Sequence, residues 1–543
     1  MAKFTLLISL FLPCILLSLA FSQTPLIEWR KNLGGTSADF GRFICQTSDG
    51  GYFVVGETMS SDLDAISNHG SGISDLFAVK LNALGQTEWK KCLGGTSGES
   101  GYSGGQTLDG GYIVFGSSSS KDGDVNTYPN HGGELLTSDF WLVKLDANGN
   151  QQWQKPFGGK FHEKGYDLAI MPDGGYLMVG TTNSNNDEVD GFHGTVTDEN
   201  NQKNDIWVVR LGSASNLLWQ RTLGGTDLDE GFSILATENG GAVIAGNTYS
   251  FDYDVSDHHG TAAVDNYDNS DCWVVKLDNQ GQTIWAKTYG GSKWDGANCI
   301  KKTSDGGYIL IGYTYSDDLD VSFHRGTLAS SDVWVVKLDS SGTILWEKTY
   351  GGTDNEIGNS IFQTSDGGYI FAAKTASNND QIANLKGLES AWIVKIDETG
   401  SIQWENTYGG TKVEIANSII QTSDQWFAFA GMSTSTDGDI WNHLGDIGSD
   451  MWVVRLSNIL SVDSQQSFHD EVFPNPSQGK FELRIEQPNS LVTIVDRIGQ
   501  CLYSYQIKEY ANQFNLSHLP KGIYTVMIKK ANGGISAQKL ILE

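Results

Sequence analysis

Residues 333–356 read VWVVKLDSSGTILWEKTYGGTDNE. An apolar run, Trp334 to Leu338, meets a turn at Asp339-Ser340-Ser341-Gly342. A second run, Thr343 to Tyr350, carries Trp346 and ends at Gly351-Gly352. Gly342 supplies the left-handed residue that such a hairpin needs. Near copies stand before and after it. Trp29, Trp89, Trp153, Trp219, Trp285, Trp346 and Trp404 each precede a Gly-Gly pair, at spacings of 60, 64, 66, 66, 61 and 58 residues. Seven units at a near-fixed period decide the architecture before any single residue does.

Each unit reads as four short strands. Asn359 to Gln363 runs into the tight turn Asp366-Gly367-Gly368 and returns as Tyr369 to Ala373. A long polar loop follows, and then a hairpin like the one above. The β-branched and aromatic content suits strands, and no segment sustains a helical period. Four antiparallel strands repeated seven times predict an all-β fold, a seven-bladed β-propeller. The apolar runs are continuous, which fits blades covered on both faces by their neighbours. The chain enters the repeat on an anchor strand, Ile27 to Leu33, and the last unit stops at a third strand, Met451 to Leu456. The expectation is that the N-terminal strand pairs there and closes the last blade.

The Gly-Gly loops and the long loops then share one face, and both carry patterned acids. Four residues after the second Gly stand Asp39, Glu99, Glu163, Asp229, Asp295, Glu356 and Glu414. These are expected at the mouth of a central channel, either as a ligand ring or as acceptors that fix each loop through backbone N–H groups. Their recurrence in every unit favours the structural role. The long loops carry Asp62/Asp64, Asp122/Asp124, Asp252/Asp254, Asp318/Asp320 and Asp437/Asp439. The third unit has Asn186/Glu188 and the sixth Asn379/Gln381. Alternate carboxylates on a turn suit Ca²⁺ or simple Asx turns. A His follows in most units, as His69, His131, His193, His258, His324 and His443, and reads as a turn hydrogen-bonder. Trp294 and Trp441 fall outside the repeat scheme on this face and could stack on sugar rings. His162 with Lys164 is the only candidate for a unit-specific catalytic pair, and the familiar hydrolase and phosphate-binding motifs are missing.

The ends and the composition set the compartment. Lys3, an apolar run from Leu6 to Phe21 and the small residues before Gln23 make a signal peptide over residues 1–22. Five Cys remain after it, an odd number without a C-x-x-C pair, and read as core residues. The net charge is −29, and residues 23–463 carry about −31 of it, which argues against nucleic acid and anionic membrane surfaces. No further stretch is long and apolar enough to span a bilayer. The repeat occupies 23–456, a polar linker 457–467 and a small Ig-like β-sandwich 468–543.

That last segment carries Val472-Phe473-Pro474-Asn475-Pro476, Val492 to Gln500, Phe514 to Tyr524 and Lys539-Leu540-Ile541-Leu542. It resembles the type A C-terminal sorting domain of the type IX secretion system of Bacteroidetes. The resemblance implies passage through the periplasm and recognition by that secretion machinery. It also implies release outside the cell or retention on its surface. The seven units are similar to uncharacterised propeller repeats of such proteins. A monomeric binding protein for a glycan or protein is therefore expected. An extracellular polysaccharide lyase or hydrolase is the alternative.

Overall fold

The computed structural model describes residues 24–456, apart from 71, 126–136, 195–202, 261–268, 328, 441–442 and 446–447. It also describes 471–542, apart from 474–476, 485–489, 497–500, 509–510 and 530–534. The signal segment, Trp441 and His131 lie outside the described residues. The chain divides into two compact units, Met1–Asn458 and Ile459–Glu543.

The first unit holds seven four-stranded antiparallel sheets. The first is typical: Asp39–Gln46, Tyr52–Thr58, Asp75–Leu81 and Thr87–Leu93, in sequence order. The seventh takes three strands from the end of the repeat, Glu414–Gln421, Phe427–Ser433 and Asp450–Leu456, and its fourth from the start, Ile27–Leu33. Ile27 pairs with Leu456 and Leu33 with Met451. The first strands begin a little earlier than their apolar runs, so each recurring acid is the first residue of its strand.

The second and third strands of each sheet are buried almost throughout, because neighbouring sheets cover both faces. Trp141, Trp207, Trp273, Trp334, Trp392 and Trp452 on the third strands are fully buried. Truncating any one to Ala should cost about 3–5 kcal/mol. The fourth-strand Trp residues are partly exposed except Trp404, which is buried, and Trp29, Trp89, Trp219, Trp285 and Trp346 pack on the Gly of the next hairpin. Trp29 lies over Gly85, whose φ is +73 and whose added Cβ would stand 2.7 Å from the indole. Glycine thus serves the turn and the stacking at once.

The second unit has a three-stranded sheet and a four-stranded sheet. They share one core that includes Phe481, Leu483, Val492, Ile494, Tyr524 and Val526. Among the described residues no helix is long and apolar enough to cross a membrane.

Candidate functional site: the Gly-Gly loop face

Each Gly-Gly loop offers a row of backbone N–H groups, and the long loop of the same unit fills it. In the second unit the Gly94 N–H donates to Asp124 Oδ2 at 3.1 Å and the Gly95 N–H to Glu99 Oε2 at 2.9 Å. The Thr96 N–H donates to Asp122 Oδ1 at 2.7 Å, its hydroxyl to Asp122 Oδ2 at 2.8 Å, and the Ser97 N–H to Ser120 Oγ at 2.9 Å. The arrangement recurs with Asp62, Asp252, Asp318 and Asp437 as acceptors from the residue after Gly-Gly. Asn186 and Asn379 accept the same bond at 3.0 and 3.1 Å. Glu188 and Gln381 accept from the first Gly, as do Asp254, Asp320 and Asp439. Asp64 instead meets Lys90. Neutral amides therefore do the work of the carboxylates in two units.

Asp39, Glu99, Glu163, Asp229, Asp295, Glu356 and Glu414 are all fully buried. Each accepts the N–H of the second Gly at 2.6–2.9 Å. Most also take a hydroxyl from the end of the second strand, such as Ser118 to Glu99 at 2.8 Å and Thr182 to Glu163 at 2.6 Å. Burial outweighs these bonds and pushes Asp39 up to about 6, Glu99 and Asp295 to about 7 and Glu163 to about 8.

A second set of acids is not evident from the sequence. Asp75, Asp139, Asp205, Asp271, Asp332 and Asp450 open the third strands and are fully buried. They lie against the recurring acids: a Cβ on Gly94 would stand 2.3 Å from Glu99 Oε2 and 2.7 Å from Asp75 Oδ1. Ser390 takes this position in the sixth sheet. The one signal is an acid just before the third-strand Trp motif, which reads as an ordinary turn residue.

Three histidines tie these acids to the next unit. His69 Nδ1 lies 2.7 Å from Asp75 and its Nε2 3.7 Å from Asp124. His193 spans Asp205 and Asp254 at 2.7 and 3.9 Å, and His259 spans Asp271 and Asp320 at 2.8 and 3.7 Å. In the fourth unit the bridging residue is thus His259. His258 packs beneath Phe251 with ring centroids 4.1 Å apart.

Every first strand also carries a β-bulge, after Gly41, Gly101, Gly165, Gly231, Ala297, Gly358 and Ala416. The unpaired residues are Arg42, Tyr102, Tyr166, Phe232, Asn298, Asn359 and Asn417. Each of six reaches the neighbouring first strand. Arg42 lies 5.4 Å from the Tyr102 ring, Tyr102 meets Tyr166 at 5.2 Å and Tyr166 meets Phe232 at 5.0 Å. Asn298 donates to Gly358 O, Asn359 to Ala416 O and Asn417 to Gly41 O, at 2.9, 3.0 and 2.8 Å. The last bond joins the seventh sheet to the first. Three consecutive bulge residues are thus aromatic, three are amides, and Arg42 stands between the two runs.

Trp294 is 41% exposed and stands edge-on to Tyr315 at 5.6 Å. His162 Nδ1 accepts the Ser138 N–H at 3.3 Å, the position that Asn355 Oδ1 fills toward Ser331 at 3.0 Å. Among the described residues no group of three or more His, Cys, Asp or Glu is placed to hold a metal ion.

Residues 471–543 match the family of secretion system C-terminal sorting domains. The C-terminal unit is thus a sorting domain of the type IX secretion system. No curated protein matches the chain. Among solved structures the fold is similar to YCF48 bound to D1 peptide, at 10% identity over 79% of this chain and 94% of that one, with a TM-score of 0.41. It is also similar to the Pan2 WD40 domain of Neurospora crassa, at 9% identity, 79% and 96% coverage and a TM-score of 0.40. A third is PorZ, a surface component of the type-IX secretion system of Porphyromonas gingivalis, at 9% identity, 95% and 100% coverage and a TM-score of 0.23.

Proposed function

We propose that this is a seven-bladed β-propeller, exported by the type IX route to the cell surface or the medium, that binds a glycan or protein through its Gly-Gly loop face. The sorting domain at 471–543 is the observation that carries the reading. The seven sheets, the N-terminal strand in the seventh and the Asn417–Gly41 bond support a closed ring. In this reading residues 1–22 are a cleaved signal, 23–456 the propeller, 457–467 a linker and 468–543 an Ig-like sorting domain. Deleting residues 468–543 in the native host should leave a folded propeller in the periplasm and none outside. Truncated chain at the cell surface would refute the sorting role.

Binding is favoured over a polysaccharide lyase or hydrolase by the fate of the acids. Glycoside hydrolysis needs two carboxyl groups facing the substrate, whereas the recurring acids are buried under their own loops. His162 serves a loop contact that an Asn serves elsewhere. The D-x-D carboxylates are loop clamps in this proposal, not Ca²⁺ ligands, because N–H and hydroxyl donors already engage them. An ion bound only to the folded state would raise its stability. EDTA should therefore leave the Tm of the secreted chain unchanged. A fall that added Ca²⁺ reverses would restore the metal reading.

A further inference from the structure

We infer that the loop face of the fourth and fifth sheets is a platform for the sugar rings of a neutral polysaccharide, formed by Phe251, Tyr253, Trp294, Leu319 and Phe323. The inference rests on the reading of this face as a binding surface and names its ligand class and its location.

Among the described residues of the repeat, the exposed aromatic side chains, Phe251, Tyr253, Trp294 and Phe323, all lie on loops of the fourth and fifth sheets. The residues just before the recurring acids are Ala38, Gly98, His162, Leu228, Trp294, Asn355 and Val413. Each carbonyl of Trp294 and Leu228 accepts an N–H from a Tyr, Tyr315 and Tyr249, at 2.9 Å. The corresponding donors in the first and sixth units are Met59 and Ala376. Between the two acids of each D-x-D pair the chain turns through left-handed backbone, with φ from 51 to 64° at Leu63, Gly123, Asp187, Tyr253, Leu319, Asp380 and Gly438. Gly, and less often Asp, is the residue such a turn prefers. Tyr253, Leu319 and, in the first sheet, Leu63 accept the strain and yet stand 69%, 66% and 51% exposed, but among the described residues the loops of the first sheet carry no exposed aromatic ring. Phe251 and Phe323 add 41% and 56% exposed rings. The Tyr253 ring meets His193 at 4.8 Å and still stands mostly exposed, and exposed apolar groups on unfavourable backbone are the pattern expected where a ligand selects them.

The two loops are joined. Phe251 packs on His258, and the adjacent His259 bridges to Asp320, next to Leu319. Asp318 accepts the Ser292 N–H at 2.8 Å and so ties the Leu319 turn to the loop that bears Trp294. Carboxylates flank the apolar groups throughout: Asp252 and Asp254 around Tyr253, and Asp318 and Asp320 around Leu319. The core of a protein interface is depleted of charge. Rings set among hydrogen-bonding groups instead suit a pyranose, whose C–H faces stack while its hydroxyls bond. The net charge of −29 disfavours anionic polymers and leaves neutral ones.

The test uses the secreted chain, residues 23–543, in affinity gels containing mannan, laminarin or xylan, with alginate as the anionic control. At least one neutral probe should retard it, and alginate should not. Trp294→Ala and Tyr253→Gly should each weaken that binding about tenfold or more, as loss of a stacking ring does. Because Gly suits left-handed backbone, Tyr253→Gly and Leu319→Gly should melt no lower than the parent, so lost binding cannot be ascribed to misfolding. Leu63→Gly, at the same turn in the first unit, should leave binding intact. No retardation by any neutral probe overturns the saccharide platform, while capture of a protein ligand in that case would keep the broader binding reading. Retardation that survives Trp294→Ala and Tyr253→Gly places the site elsewhere and also overturns it. Release of reducing ends from a probe overturns the binding reading in favour of the enzyme.

Discussion

A chain that begins at residue 34 should not fold stably at 37 °C. Residues 27–33 are the strand the seventh sheet has on that edge, and together with Pro25 they contact three sheets. Their main chain pairs with Asp450–Leu456 along its length. Asn32 Nδ2 donates to buried Asp450 at 2.8 Å, and Glu28 lies 2.7 Å from Arg455. Trp29 meets Tyr52 of the first sheet at 5.3 Å, and Tyr408 of the sixth sheet donates to Pro25 O at 2.9 Å. Leu33 is fully buried in the core between the seventh and first sheets. Leu33→Ala alone should cost about 2–5 kcal/mol. Against a usual total of about 5–15 kcal/mol, loss of the whole strand is not survivable. It would also bare the Met451–Leu456 edge to other chains. The check is thermal unfolding of the truncated chain with and without a synthetic peptide of residues 23–35. Loss of the folded signal, recovered by the peptide, is the expected result. A truncation that melts within a few degrees of the parent would show that the seventh sheet does not need this strand.

The repeat made the strands legible because turn chemistry punctuates nearly every unit in the same place, with Ser215 and Gln425 standing where Gly is usual. Asp-Gly-Gly, the hairpin Gly and the Gly-Gly pair leave only one way to divide each sixty-residue unit. The acids after Gly-Gly were legible for the same reason, although their partners were not. A sequence shows that Glu99 recurs but not that Gly95 and Ser118 saturate it. Asp75 and its counterparts were missed because an acid before an apolar strand looks like solvated turn. Only the packing of one sheet on the next buries it. The bulge residues were invisible for a different reason. Arg42, Tyr102, Phe232 and Asn298 share no chemistry, and what they share is an unpaired position that backbone register alone reveals. In the fourth unit the spacing picks out His258, which accepts the Gly260 N–H in the turn, while the bridge between acids falls to its neighbour His259, a role that only the packed loops reveal.

Stability should rise as the pH falls from 8 toward 5, the reverse of the usual behaviour of a carboxylate-rich protein. Burial raises Asp39, Glu99, Glu163, Asp295 and Asp332 from 3.8 or 4.5 to between about 6 and about 8. Between those limits the folded chain holds protons that the unfolded chain has released. Stability therefore falls as the pH rises through that window. The bridging histidines act in the same direction. At His69 burial opposes the charge, but Asp75 and Asp124 outweigh it, and at His193 and His259 the paired Asp leads; all three are raised. Their contribution is complete below about 6.5 and is lost as the pH rises through the folded value. His258 and His324, lowered by burial, work the other way but are fewer. Below pH 4 the trend reverses: burial opposes the charge of Asp49 and Asp305 but bonds from Lys80 and Lys337 outweigh it, Thr107 and then Lys144 act on Asp109, and all three are held at about 2, so that stability is lost as they protonate. A tenfold change in the proton affinity of one buried group is worth about 1.4 kcal/mol. Several groups together should lift the Tm at pH 5 above that at pH 8 by about 5 °C or more. Asp75→Asn isolates one pair. Asp75 Oδ1 is buried with no hydrogen-bond partner beside Glu99, and an amide there would donate to the carboxylate, while the amide oxygen could still accept from His69. The variant should gain stability at pH 8, gain little or lose some at pH 5, and so flatten the profile. A Tm that is level or rising from pH 5 to pH 8 in the parent would mean that these carboxyls are ionised in the folded protein and that something other than a proton neutralises them.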